Sequence, residues 1–396
     1  MFSELGLFSN EELSNAKDYK YSGVDDSLLV KYFLRGIWNW MVEFLPMWLA
    51  PNVITFAGFL LEVISFALSA YISEWNSSTI PRWLCIFNGV CTLTYQCLDN
   101  LDGKQARRTG SSSALGQFFD HGCDAITGAL ELMKFAITAQ MYSRSSLFFF
   151  ILCMGIGFLL TTWEEYVTHK FYLGPINGAD EGVFLLGITQ IAIGIFPGLT
   201  DFVDNLVTKI LFLIIFAITV IMIVNNVVAE VIREPSEKKK AIVSILPMIV
   251  SIIVFCLVFC FSKTDLSTFF IISSGLVLQY GGQLVIIAIL VKRPASKVFN
   301  STLAIMWIGA LIPVFDQSVI QSETYWGLYF YIIIFLMVFH DIRVIYSFSV
   351  GIGIPVFSIK SHIKIPVDQI PNNDHEELVN EIHMDLKDVE EEVQPQ

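Results

Sequence analysis

Charge is what this chain has least of. Asp, Glu, Lys and Arg make up 15% of its 396 residues and hydrophobic residues 54%. At a mean hydropathy of +0.62 too little polar surface is left to solvate a soluble fold. Basic charge is in deficit: the formal net charge of −13 implies no nucleic-acid partner. CxxC pairs and Cys/His clusters are missing. Cys85, Cys91, Cys97, Cys123, Cys153, Cys256 and Cys260 all lie in or beside apolar segments and read as small membrane-packing residues. The start, Met1-Phe2-Ser3-Glu4, lacks a basic region followed by an early apolar stretch, so the first transmembrane helix is expected to act as the insertion signal.

What the chain does have is apolar sequence recurring almost without a break from Trp48 to Phe348. About twenty apolar residues cross a bilayer as a helix. Segments of that kind centre near Leu60, Phe87, Ile126, Cys153, Leu186, Ile215, Ile252, Leu276, Met306 and Ile333. The pattern predicts an all-α integral membrane protein with about ten transmembrane helices. An even number puts both termini on one side. The clusters Lys104/Arg107/Arg108, Arg233/Lys238/Lys239/Lys240 and Lys292/Arg293/Lys297 fall in alternate loops, which places those loops and both termini in the cytosol.

Ahead of the first span, Ser27 to Trp48 has helical apolar spacing with bases at Lys31 and Arg35, and predicts an amphipathic helix on the cytosolic leaflet. At the other end, Asp368 to Gln396 holds ten carboxylates against Lys387 and reads as a solvated, unfolded tail. The expected division is residues 1–46 as a cytosolic N-terminus with the amphipathic helix and 47–230 as a catalytic transmembrane domain. Residues 231–353 follow as C-terminal transmembrane helices and 354–396 as an acidic cytosolic tail.

The chemistry concentrates between the second and third spans. Asp99 and Asp102 are spaced i,i+3, and Asp120 and Asp124 are spaced i,i+4, so each pair projects from one face of its helix. Two antiparallel helices then converge four carboxylates. At membrane depth their ionised forms repel and are costly unless a cation compensates them. Hard oxygen ligands without His or Cys favour Mg²⁺ or Mn²⁺, which complete their shells with phosphate and water. Gly103, Ala106 and Gly116 leave room for a ligand against the helix surfaces, and Arg107 can fork onto phosphate oxygens.

The pattern Asp99-x2-Asp102-Gly103-x2-Ala106-Arg107-x8-Gly116-x3-Asp120-x3-Asp124 resembles the signature of the CDP-alcohol phosphotransferase family at every position. The text Lys104-Gln105 and Phe119-Asp120-His121-Gly122-Cys123-Asp124 is similar to its eukaryotic choline/ethanolamine phosphotransferases in particular. The resemblance implies transfer of phosphocholine or phosphoethanolamine from CDP-choline or CDP-ethanolamine to diacylglycerol, giving phosphatidylcholine or phosphatidylethanolamine and CMP. It further implies an endoplasmic reticulum or Golgi membrane with the active site facing the cytosol, and a homodimer.

By the same resemblance Asp99, Asp102 and Asp120 are metal ligands. Asp124 is a ligand or the base that takes the hydroxyl proton, and His121, one helix turn away and titrating in the right range, is a second candidate base. Pro51-Asn52-Val53-Ile54-Thr55 looks like the family's Pro-Asn-x-x-Thr element, with Asn52 reaching the nucleotide. In the next cytosolic loop Glu164 and Glu181 are expected to contact the amine head or to assist proton transfer. Glu165 and Asp180 read as solvated loop carboxylates, and Trp163 or Tyr166 as aromatic contacts or interfacial anchors.

Other charges sit inside the spans. Glu131 and Lys134 are expected to pair at i,i+3, with Glu62 also needing a partner. Gln279, Gly281, Gly282 and Gln283 read as lining a helix interface or a lipid tunnel. Two other functions compete: the same chemistry on another alcohol or a ceramide acceptor, and an ion-coupled transporter. The motif text counts against the first, and the absence of a second copy of the aspartate motif counts against the second.

Overall fold

In the computed structural model, which describes residues 7–75, 77–203, 205–262, 266–320 and 322–359, helix follows helix wherever the sequence offers an apolar run. The short α1 (Asn10–Lys17) is closed by a capping box between Ser9 and Glu12. A three-residue strand β1 (Gly23–Asp25), a π-helical turn (Val30–Leu34) and α2 (Arg35–Glu43) precede the first long helix. Then come α3 (Pro51–Ile72), α4 (Arg82–Arg108), α5 (Ala114–Thr138) and α6 (Arg144–Thr168). Strand β2 (Phe171–Leu173) and a π-helical turn (Gly178–Gly182) lead into α7 (Val183–Ile195). The remaining helices are the short α8 (Leu199–Val203), α9 (Leu206–Arg233), α10 (Glu237–Ser262), α11 (Thr268–Leu290), α12 (Ser301–Phe315), the short α13 (Gln317–Ile320) and α14 (Glu323–Phe348).

Among the described residues, seven helical stretches are long and apolar enough to cross a membrane, those built on α3, α6, α7, α9, α10, α11 and α14, and α12 is a shorter apolar helix. The ten centres expected from sequence fall on these eight and on α4 and α5. At 27 and 25 residues the last two reach about 40 and 38 Å at the helical rise, enough to span. Composition alone does not mark them because they carry the polar residues of the protein: Asn88, Thr92, Gln96, Asp99 and Asp102 on α4, and Asp120, Asp124, Glu131 and Lys134 on α5. The multi-pass, all-α membrane architecture is therefore present, with one departure in the parallel pairing of β1 and β2, Gly23 opposite Phe171 and Asp25 opposite Leu173.

The bundle is built around α11, whose residues are buried almost without exception and which packs on α5, α6, α10, α12 and α14. Buried on every face, it has no side to show to a headgroup layer. Gln279 and Gln283 are buried in these packed interfaces, and a side chain at Gly155 of α6 would come within 2.8 Å of Leu278, the close approach small residues permit in a membrane. By contrast α9 leaves Ile210, Leu211, Ile214, Ile215 and Ile218 exposed, as a lipid-facing edge helix would.

Inside the bundle, Lys134 of α5 lies 2.6 Å from Glu131 and 2.5 Å from Glu62 of α3, with Lys134 and Glu62 fully buried. The expected i,i+3 pair is present and Glu62 completes it. Thr92 and Gln190 donate to Glu131, so α3, α4, α5 and α7 meet on one polar knot.

The expected amphipathic segment is helical in two pieces, the π turn and α2. It buries Val30 and Trp38 and exposes Leu28, Tyr32, Phe33, Ile37 and Trp40, a face suited to the membrane surface. At the opposite side of the chain start, α1 docks on the end of α11: Glu12 accepts from Arg293 Nε at 2.7 Å and Asn15 donates to the Val291 carbonyl. Burial pushes the Glu12 carboxyl up, but the Arg293 guanidinium and the Ser9 hydrogen bonds together outweigh it and hold the group below the usual carboxylate range. The acidic tail from residue 360 lies outside the described residues.

Candidate metal and phosphate site

The turn between α4 and α5 makes the site. Helix α4 stops at Thr109, Gly110 takes the left-handed conformation (φ 63°), and Ser111 N–H returns to the Ala106 carbonyl at 2.9 Å. Ser113 then caps α5 by accepting from Gly116 N–H at 3.1 Å. The eight residues between Arg107 and Gly116 are thus a helix stop, a glycine turn and a helix start, and they send α5 back along α4.

As a result Asp99, Asp102 and Asp120 each offer a carboxylate oxygen within 4.8 Å of the other two, and Asp120, His121 and Asp124 form a second such group. Asp120 belongs to both. Asp99 Oδ1 and Asp120 Oδ1 are buried without a hydrogen-bond partner, which for a carboxylate oxygen is costly unless a cation meets it. An all-oxygen cluster with unclaimed oxygens fits a hard divalent cation.

The remaining oxygens are held by neighbours. Thr55 of α3 donates to Asp102 Oδ2. Tyr95 of α4 donates to Asp124 Oδ1, and Thr127 donates to the Tyr95 oxygen at 2.8 Å. Such outer partners orient ligands. His121 lies with its ring 5.5 Å from Phe171 of β2, and its Nε2 is 2.8 Å from the Gln117 amide nitrogen. An amide nitrogen only donates, so Nε2 accepts and the ring proton sits on Nδ1.

Around this cluster the expected small residues lie beside polar groups. A side chain at Gly116 would face Asn52 Oδ1 at 3.7 Å, and one at Gly103 would face Arg107 Nη1 at 3.6 Å. Asn52 is therefore beside the motif, with its amide nitrogen donating to the Val356 carbonyl at 2.8 Å. Arg107 lies exposed over Gly103 and Ala106 is half-buried on the same turn.

The other motif residues dock the amphipathic segment. Lys104 donates to Asn39, Gln105 to the Pro46 and Leu49 carbonyls, and Arg108 to the Val42 and Leu45 carbonyls.

Glu164 and Glu181 bond elsewhere. Glu164 Oε1 accepts from Asn226 of α9 at 2.7 Å, and its Oε2 is buried and unpartnered. Glu181 accepts from Ser27 Oγ at 2.6 Å, from Leu29 N–H and from Asn177 N–H, so it ties the start of the amphipathic segment to the turn before α7.

Two expectations need correction. Residues 162–166 are not a loop: α6 runs to Thr168, longer than the twenty residues that bound the expected span, and Glu165 on its last turns is only 5% exposed. Asp180 is 4% exposed rather than solvated, because its own turn folds back on α4, where Gln96 donates to its carbonyl at 2.7 Å.

Two residues that sequence reasoning passed over touch the cluster. Tyr95 stands at i−4 from Asp99 and shares its helix face, a signal that was there to read. Thr55 closes the Pro-Asn-x-x-Thr element that Pro51 and Asn52 open.

With the geometry in place, the sequence matches the family description "CDP-alcohol phosphatidyltransferase" over residues 48–339. It is similar to choline/ethanolaminephosphotransferase 1 of Arabidopsis thaliana, 45% identical over 172 residues, covering 43% of this chain and 44% of the relative. It is also similar to choline/ethanolaminephosphotransferase 1 of Saccharomyces cerevisiae, 36% identical over 193 residues and covering 48% and 49%. An uncharacterized CDP-alcohol phosphatidyltransferase class-I family protein 3 of Dictyostelium discoideum is 42% identical over 191 residues, 48% of each chain. The matched region spans about half the length of these relatives.

Proposed function

The chain belongs to the CDP-alcohol phosphatidyltransferase family, and from that premise we propose that it transfers phosphocholine or phosphoethanolamine from the CDP ester to diacylglycerol, releasing CMP. The observation that carries the proposal is the convergence of Asp99, Asp102 and Asp120 within 4.8 Å, with one oxygen of Asp99 and one of Asp120 unclaimed. Names of the Arabidopsis and yeast relatives point to the choline and ethanolamine donors.

In the proposed reaction the acceptor hydroxyl oxygen forms a bond to the phosphorus that bears the amino alcohol, and the bond from that phosphorus to the oxygen of CMP breaks. A divalent cation held by Asp99, Asp102, Asp120 and, in part, Asp124, Mg²⁺ or Mn²⁺, would offset charge on the pyrophosphate and on departing CMP. Arg107 reaches phosphate oxygens from above Gly103, and Asn52 approaches the nucleotide across Gly116. Asp124 and His121 share the hydroxyl proton: Asp124 is restrained by Tyr95, and His121 offers Nε2 once Gln117 lets go. Glu164 presents its unclaimed oxygen to the cationic amine. Glu181 acts by fixing the amphipathic segment that docks on the end of α4.

The placement of Lys104, Arg107 and Arg108 at one helix end, with Arg233 to Lys240 and Lys292 to Lys297 at others, supports a cytosol-facing site in an endoplasmic reticulum or Golgi membrane. The division at residue 230 is proposed as functional only, since α11 of the later part packs on α5 and α6. Homodimer formation through the later spans is proposed on the family resemblance alone. The test is purified chain in lipid with CDP-choline or CDP-ethanolamine, diacylglycerol and Mg²⁺ or Mn²⁺. CMP release matched by new phospholipid is expected, and no CMP under any pairing sinks the proposal.

A further inference from the structure

Away from the aspartates, the ends of α6, α10 and α11 and the segment after α1 enclose a cavity of about 830 Å³. None of the four motif aspartates lines it. Five cations do, Lys20, Lys239, Lys240, Lys292 and Arg293, against the carboxylates of Asp18, Glu165 and Glu237. Two of the cations are already engaged: Arg293 with Glu12, and Lys240 with Glu237 at 2.9 Å and over the Tyr166 ring at 4.5 Å. Among the described residues Lys20, Lys239 and Lys292 are exposed and have no ion pair or side-chain hydrogen bond.

Two features show that the cavity wall is more than a scatter of surface lysines. Helix α6 closes on His169 at φ 59°, and α11 is followed by Lys292 at φ 53°. Both positions are left-handed helix ends where glycine or asparagine is the usual residue, and in both the chain places a basic side chain at this one cavity. The Tyr19 hydroxyl is buried there without a partner.

We propose that this cavity binds a phosphate group, delivered as the headgroup of an acidic phospholipid. With Glu12 counted against Arg293, five cations facing four carboxylates leave a surplus of one, which one phosphate diester matches. Three free ammonium groups and a free phenol are donors without an acceptor, which is what phosphate oxygens supply. The cavity lies where membrane-spanning helices end and where Tyr19 and Tyr166 stand as interfacial aromatics, the depth at which anionic headgroups attract basic residues. The site is separate from the reaction centre, so its occupancy would tune the enzyme without being part of the chemistry.

Native mass spectrometry of the full chain, titrated with phosphatidylinositol, phosphatidic acid or phosphatidylcholine, reads occupancy without reference to catalysis. One retained acidic lipid is expected, with affinity for K20Q/K239Q/K292Q lower by about tenfold or more. A control variant, K17Q/K31Q/K297Q, removes the same charge elsewhere and is expected to retain the lipid. Equal retention by both variants, or no preference over phosphatidylcholine, overturns the proposal. Titration with inorganic phosphate separates the sources: competition with the lipid at millimolar phosphate supports the phosphate reading. Saturable phosphate binding without lipid retention assigns the cavity to a soluble phosphate ester and overturns the lipid source.

Discussion

Tyr95 and Asp124, 29 residues apart, are joined by a hydrogen bond from the phenol to the carboxylate. The bond crosses from α4 to α5 beside the three-aspartate cluster, so it fixes the position of Asp124. Hydrogen bonds to charged groups contribute about 1.5–3 kcal/mol, and Tyr95→Phe is expected to lower kcat/KM by about ten- to a hundredfold, with the protein still folded by thermal unfolding. Unchanged steady-state kinetics would show that the bond has no part in turnover.

Thr55 plays the matching part for Asp102. Outer partners of metal ligands affect affinity by about ten- to a hundredfold. Thr55→Val is therefore expected to raise the Mg²⁺ concentration needed for half-maximal activity by about tenfold, and Thr55→Ser to restore it. An unshifted metal titration in Thr55→Val would remove that role.

The two candidate proton acceptors separate by pH profile. Positioned acid–base groups contribute about 10²–10⁴-fold, so Asp124→Asn is expected to abolish measurable turnover. His121→Gln is expected to flatten the acid limb of the pH–rate profile while leaving KM for the CDP-alcohol unchanged. A His121→Gln profile identical to the parent's leaves the proton to Asp124 alone.

How much of this was legible beforehand follows from what each feature depends on. The spans and the aspartate spacing are local patterns of period 3.6, and a periodic reading recovers them even on α4 and α5, which are too polar to pass as spans by composition. Partners that cross between helices are not local. Nothing within a few residues of Glu62 points to Lys134, 72 positions away, or of Glu181 to Ser27, 154 positions away. Glu165 and Asp180 read as solvated for a related reason: a carboxylate near an expected helix end looks exposed until the fold shows what packs over it. Tyr95 is different, since its face was computable from Asp99.

The buried knot supplies a stability test. Removing one member of a buried ion cluster leaves uncompensated charge and costs about 3–5 kcal/mol. Lys134→Met should lower the unfolding temperature in detergent markedly, and adding Glu62→Gln should recover part of the loss. Equal unfolding temperatures for parent and Lys134→Met would mean the cluster contributes nothing to the bundle.

The central claim is that Asp99, Asp102 and Asp120 hold a divalent cation against the donor's pyrophosphate. Electron paramagnetic resonance titration of Mn²⁺ into the purified chain, with and without CDP-choline, tests it most directly. Saturable binding tightened by the nucleotide is predicted, weakened by about tenfold or more in Asp99→Asn, Asp102→Asn and Asp120→Asn. Mn²⁺ occupancy unaffected by all three substitutions would contradict it.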